Sequence, residues 1–339
     1  MKKILSILLI IVLTATVSAC APKAPGEDSN TLVVYSPNSE GIMNAVIPLF
    51  EQKTGIKVEV ISAGTGELLA RLESEKNAPI ADVMFGGTNT LHQSNSHLFM
   101  NYVSPENANV FEAYRSKDAF TSNYVIDGRV LIVNVDLAKD IKIDGYRDLL
   151  NPVLKGKIAS GDPTASSSAF SQLVNMLLAT GGLESDEAWT FVRELIKQLD
   201  GKINASSSGV YRSVVDGEMV VGLTYEDPIL KLLMDGATNI RIVYPVEGAN
   251  FTPSSISIIK DAKNVENAKK FVDFVLGEDV QEIFGTQLTN RPVRQGVRTG
   301  SHLIPLEEIN LVHGDMNFIN ANRSNFIDRW NTIFAEESN

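Results

Sequence analysis

From Thr31 onward, short β-branched runs alternate with stretches of helical periodicity, and each run ends in a loop of small polar residues. Residues 31–35 (TLVVY) form a continuous apolar run, the pattern of a strand covered on both faces. Residues 41–53 place Ile42, Met43, Val46, Ile47 and Phe50 at helical spacing, with Pro48 expected to bend the helix. A second strand over 56–61, a helix over 67–76 turning Leu68, Leu69 and Leu72 inward, and a third strand over 81–85 complete a βαβαβ order. That order predicts a parallel sheet with right-handed crossovers. Strands are expected again at 129–135, 157–159, 219–224 and 255–259. Helices are expected at 168–178, 187–199, 209–216, 265–276 and 324–334, with no repeat of solenoid length.

Loops after parallel strands gather at one edge of the sheet, where α/β folds bind ligands. Here they read Ser36-Pro37-Asn38-Ser39-Glu40-Gly41, Ser62-Ala63-Gly64-Thr65-Gly66 and Gly86-Gly87-Thr88-Asn89-Thr90. Two later loops, 162–168 (DPTASSS) and 204–209 (NASSSG), each lead into a helix. Helix N-termini present free N–H groups and a positive dipole end, hydroxyls add donors, and glycine lets a ligand approach the backbone. A single serine or threonine in such a place is ordinarily a cap. Five such loops exceed what capping requires. The expected contact residues are Ser36, Asn38, Thr65, Gly66, Gly87, Thr88, Thr164, Ser166, Ser167, Ser206, Ser207 and Ser208. The segment Thr224-Tyr225-Glu226-Asp227-Pro228 adds Tyr225 and Glu226, which would accept a hydroxyl or ammonium group or, alternatively, ligate a metal. Asp227 reads as a helix cap or a helper at the same end. Arg129, Arg291 and Arg294 are the arginines placed to reach an anion or to be salt-bridged.

The first 20 residues, MKKILSILLIIVLTATVSAC, have two lysines, an apolar core and small residues before Cys20, the chain's one cysteine. The apolar core falls short of the roughly 20 residues needed to span a bilayer. Residues 1–19 therefore read as a lipoprotein signal peptide, with cleavage before Cys20 and lipidation of its thiol. Residues 20–30 read as a flexible tether rich in proline and polar residues. Without Lys2 and Lys3, 28 basic side chains face 41 acidic ones, an imbalance that argues against nucleic acid as partner. An anion would have to be held by local dipoles. With Cys20 acylated, disulfides, thiol catalysis and cysteine metal sites are excluded. The four histidines lack metal-ligand spacing, and neither GxSxG nor a P-loop lysine occurs, so neither enzyme chemistry nor a cofactor is expected.

The stretches LVVYSPN (32–38), PLFEQKTGIKVEV (48–60), ADVMFGG (81–87), GRVLIVN (128–134), VVDGEMVVGLTYEDP (214–228) and KNVENAKKFVDFVLGEDVQ (263–281) together resemble the solute-binding proteins of ABC importers. The resemblance is to the group holding ferric-iron, thiamine, sugar-phosphate and aminoalkylphosphonate binders. It implies an α/β, two-lobe type II periplasmic-binding fold, with the ligand cleft between lobes and two hinge crossings near 127–130 and 245–252. Lobe one would comprise 31–127 plus 253–300, lobe two 130–245, and 301–339 a C-terminal helical segment. Ferric binders of the group carry adjacent tyrosines near the position of Tyr225. This chain has Tyr225-Glu226 there and no histidine in 36–40, which demotes iron. The thiamine-degrading enzymes that share the fold use a cysteine nucleophile, and Cys20 lies outside it. The resulting expectation is a monomeric, lipid-anchored protein on the extracytoplasmic face of the membrane. It would bind a small anionic solute, an organic phosphate or phosphonate, and deliver it to a permease with a cytoplasmic ATPase. The alternatives are a ferric-iron binder, with Tyr225 and Glu226 as ligands, and a receptor for a sensor kinase.

Overall fold

The computed structural model describes residues 30–338. The expected signal peptide, Cys20 and nearly all of the tether lie outside them. The first half begins as expected. β1 (Thr31–Ser36), α1 (Glu40–Thr54), β2 (Lys57–Ser62), α2 (Thr65–Glu75) and β3 (Val83–Thr88) follow in order. Both β2 and β3 pair with β1 in parallel. Ile42, Val46 and Phe50 of α1 and Leu68 and Leu72 of α2 are buried, which is the helical spacing read from the sequence. Pro48 sits inside α1, which runs through it unbroken.

The sheet is not parallel throughout. β4 (Ser122–Asn134) is thirteen residues long and buried along its whole length. Its first half pairs antiparallel with β8 (Phe251–Ile258), which in turn pairs antiparallel with β3. At Gly128 the strand leaves that sheet. From Arg129 to Val133 it pairs instead with β6 (Val221–Tyr225), while Leu131 to Asn134 pair with β7 (Ile240–Val243), both antiparallel. The short β5 (Ile158–Ala159) adds to β6 in parallel, and the short β9 (Arg291–Pro292) adds to β4 at Val125 and Ile126.

Between β5 and β6 come α3 (Ser167–Thr180), α4 (Asp186–Leu199) and α5 (Ser207–Val215). After β6 comes α6 (Glu226–Met234), then α7 (Val265–Leu276), α8 (Glu278–Thr286) and finally α9 (Arg323–Glu337). Successive residues of a strand face opposite sides, so Leu131 and Val133 enter one core while Val130 and Ile132 enter another on the far face of the second sheet. The first sheet has its own core around Tyr35, Phe50, Phe85 and Phe271. Ile319, Phe326, Trp330 and Ile333 of the C-terminal segment pack into the core of the second sheet. Two sheets with separate cores, joined through β4, which pairs in both, form the two-lobe arrangement. Among the described residues no helix is long and apolar enough to cross a membrane.

Candidate functional site

The carboxyl ends of β1, β2 and β3 and the N-termini of α3 and α5 converge on one cavity of about 590 Å³. Ser36, Asn38, Thr65, Gly87 and Thr88 line it from the first sheet. Ser166, Ser167, Ser206, Ser207, Ser208 and Tyr225 line it from the second. Several of these groups are also engaged within the protein. Ser166 Oγ caps α3 by accepting from Ala169 N, and Ser206 Oγ caps α5 by accepting from Gly209 N. Ser36 Oγ donates to Phe85 O at 2.7 Å, and Asn38 Oδ1 accepts from Tyr124 Oη at 2.8 Å. Gly86 and Gly87 both adopt positive φ, which takes β3 round the back of the cavity without a side chain filling it.

Three expected residues are not on the wall. Thr164 is exposed and turns back on Asp162 through its N–H and hydroxyl, both at 2.7 Å. Gly66 donates its N–H across the cleft to Ala165 O at 3.1 Å, and a Cβ there would stand 3.0 Å from that oxygen. Glu226 is buried behind the cavity. Its carboxylate accepts from Arg291 Nε and Nη2, each at 2.7 Å, and from Tyr244 Oη at 2.5 Å. With both oxygens engaged, it is occupied as an ion-pair partner. The extended backbone explains this, because Tyr225 ends strand β6 and the next residue leaves an extended chain on the opposite side. Asp227, expected as a cap, is the second residue of α6, while Tyr225 holds the N-cap position.

The charged groups on the wall are different ones. Arg129 is 2 % exposed, and among the described residues no carboxylate lies within ion-pair distance of it. Its Nη2 donates to Asp127 O at 3.0 Å, its Nη1 lies 3.5 Å from Ser168 Oγ, and its Nε is buried without a partner. The guanidinium sits 5.8 Å from the Tyr225 ring, its partner across the β4–β6 pairing. Burial pulls the Arg129 guanidinium below its ordinary value, with the nearby Asp127 carboxylate opposing the fall. Asp127 and Asp227 also line the cavity. Burial raises the carboxyl of Asp127, and Arg129 and the Ser254 hydroxyl hold it back. Burial pushes Asp227 up to about 6, against hydrogen bonds from Thr289 Oγ1 at 2.6 Å and Ser39 Oγ at 2.9 Å. Asn290 is 2 % exposed and lines the same wall, and neither its amide nitrogen nor its oxygen has a partner among the described residues.

Direct contacts tie the two sides of the cleft together. Ser167 N donates to Thr65 Oγ1 at 2.9 Å, Ser39 Oγ reaches Asp227, and Arg212 approaches Glu40 at 3.9 Å at the mouth. The lobes are closed on the cavity. Such a cavity can hold a small polar molecule by charge and hydrogen bonds.

A fold of two lobes closing on a polar cavity defines a type II periplasmic-binding protein. The profile of the family described as bacterial extracellular solute-binding protein matches residues 31–287, and the chain belongs to that family. It is 29 % identical over 288 residues to the iron uptake protein A1 of Synechocystis, covering 80 % of this chain and 78 % of that one. A solved structure of the periplasmic binding protein AfuA from Actinobacillus pleuropneumoniae, with exogenous fructose-6-phosphate bound, matches with a TM-score of 0.82 at 26 % identity, covering 91 % of this chain and 99 % of that one. The ferric binding protein from Campylobacter jejuni shares the fold, with a TM-score of 0.73 at 23 % identity over 89 % of this chain and 99 % of that one. The chain is the substrate-binding component of an ABC importer, an extracytoplasmic protein that works with a permease.

Proposed function

We propose that this is a lipid-anchored binding protein that captures a small organic phosphate or phosphonate by closing its two lobes, then presents it to the permease. The observation that carries the reading is Arg129. A buried guanidinium that makes no salt bridge among the described residues, beside the N-termini of α3 and α5, has the character of an anion receptor. Burying a cation without a direct salt-bridge partner is costly, and a bound phosphoryl or phosphonyl group would offset that cost. Hydroxyls of Ser167, Ser168, Ser207 and Ser208 in the first turns of the same helices supply further donors. The lipid anchor rests on the sequence around Cys20.

Isothermal titration of residues 21–339 against inorganic phosphate, ethylphosphonate, fructose 6-phosphate and ferric citrate tests this. Saturable binding of one phosphorylated or phosphonylated compound is expected. A second reading, ferric iron, draws support from Tyr124, Tyr211 and Tyr225, which all line the cavity, since tyrosinate is a hard oxygen ligand. Burial raises all three hydroxyls, so each would have to lose a proton it holds firmly. Binding of ferric citrate alone, with a visible tyrosinate-to-iron band, would replace the phosphate reading.

A further inference from the structure

Ser168, Gln172 and Asn175 follow one another on α3 at spacings of four and three, so their side chains form a single row along the helix. Ser168 lines the cavity. Gln172 and Asn175 do not line it and are buried, on a helix whose Phe170, Leu173 and Leu177 belong to the core of the second sheet. A buried amide is costly unless its atoms are bonded, and here they all are. Gln172 Nε2 donates to Val130 O at 2.9 Å and to Thr224 O, and its Oε1 accepts from Tyr146 Oη at 2.8 Å. Asn175 Nδ2 donates to Gly248 O at 3.2 Å and to Tyr146 Oη, and its Oδ1 accepts from Asn250 N.

The backbone groups that these amides take up surround one residue. Val130 and Thr224 face each other across β4 and β6, one step along from the pair Arg129 and Tyr225. Gly248 and Asn250 lie on the segment leading from β7 in the second sheet to β8 in the first, and Asn250 O accepts from Arg129 N at 3.0 Å. The Arg129 backbone is therefore held on both sides. Its own N–H is tied through Asn250 to Asn175, and the carbonyl of the next residue is tied to Gln172. An arginine side chain has many rotamers to lose, and the firm bond of this guanidinium is the one to Asp127 O at 3.0 Å. Its aim into the cavity depends on the backbone from which it leaves.

We propose that Gln172 and Asn175 are positioning residues for ligand capture. They touch no ligand, and they act by fixing the backbone of Arg129 so that its guanidinium faces the cavity. A fully bonded buried network supplies the rigidity that this requires. The proposal rests on the reading of Arg129 as the partner of the anion, and adds the groups that hold it there.

Gln172→Met and Asn175→Leu remove the bonds with little change of volume. Tyr146→Phe deletes the hydroxyl shared by both amides while keeping the ring, and serves where either of the others folds poorly. The first measurement uses no ligand: solvent exchange of the Arg129 Nε–H, followed by NMR and assigned by its loss in Arg129→Gln. That group is buried in the native protein, and each variant is expected to exchange it at least about tenfold faster. An unchanged Arg129 signal overturns the proposal. The second measurement is calorimetric titration with inorganic phosphate, ethylphosphonate and fructose 6-phosphate. Gln172→Met should weaken whichever of them binds by about tenfold. Added to Arg129→Gln, the same substitution should change affinity less than about twofold, because both changes act through one group. Equal losses in the two backgrounds would make the network a structural support only, and overturn the proposal. Wild-type protein that binds none of the three compounds sinks the phosphate reading, and the Arg129 exchange rate still decides whether these residues position the arginine.

Discussion

Two buried arginines, Arg129 and Arg291, lie on β4 and on its neighbour β9, yet they do opposite things. Arg291 is locked to Glu226 through two hydrogen bonds, with Tyr244 on the same carboxylate and the Phe251 ring 5.1 Å away. Arg129 has a backbone carbonyl, a long contact to a serine hydroxyl and an idle Nε. Their acids repeat the contrast one residue apart. Glu226 is saturated by its arginine, whereas Asp227 has only hydroxyl partners and turns to the cavity. The lesson is that burial alone does not identify a binding group. What distinguishes the receptive residue is the counter-charge it lacks.

The largest test of that contrast removes Arg291. Arg291→Met leaves the buried Glu226 charge without its cation, with only the Tyr244 hydroxyl as partner, and should lower unfolding stability by about 3–5 kcal/mol, read by chemical denaturation. The pair variant Glu226→Met with Arg291→Met should recover most of it, and equal damage from both would show that the arginine does more than neutralise Glu226.

The next test uses pH. Asp227 moves from 3.8 to about 6 in the folded protein, so the native state holds a proton that the unfolded chain has lost between those values. The resulting stabilisation is complete below about 4 and disappears as pH rises through about 6, amounting to at most about 3 kcal/mol. The difference in unfolding free energy between wild type and Asp227→Asn should therefore change across pH 4–6 and level off above 7. A flat difference would place Asp227 among ordinary carboxylates.

Arg129→Gln should weaken ligand binding about 100-fold, equivalent to about 2.7 kcal/mol, while leaving the thermal midpoint of the ligand-free protein unchanged or higher. A large fall in that midpoint would make Arg129 structural, like Arg291. The smallest effect is expected from Thr65→Val, which removes the acceptor for Ser167 N across the cleft. It should cost about 1 kcal/mol of ligand affinity, with small-angle scattering showing a larger open fraction, and no change in scattering would mean that closure does not depend on this contact.

Much of this architecture is legible in the chain. Runs such as TLVVY and the spacing of Ile42, Val46 and Phe50 give strands and helices directly, because burial imposes their period. The first half of β4 (SNYVID) escaped because polar residues interrupt its apolar pattern, although every one of them is buried. β7 (IRIV) is too short to signal itself. At the site, the small-residue loops did converge on one cavity, because loop position follows from strand order. Asp127, Asn290 and Ser254 were not legible as cavity residues. Their placement depends on which strands become neighbours across more than a hundred residues. A local signal did exist for one pair. Asp127 and Arg129, two apart in a strand, had to share a face whichever face that was.

Gly128 stands between them, at the point where β4 passes from one sheet to the other, and its Cα faces the Phe251 ring so closely that a Cβ would collide with it at 2.4 Å. The two charges of the wall thus flank the point where β4 changes partners, Asp127 on the side paired with β8 and Arg129 on the side paired with β6. A molecule spanning both is stretched between two bodies that separate when the cleft opens. If the lobes part at that point, as the proposed closure requires, unloading would need no displacing competitor, and how long a cargo stays aboard would be set by how often the cleft opens. A permease that pries the lobes apart would set the clock of delivery.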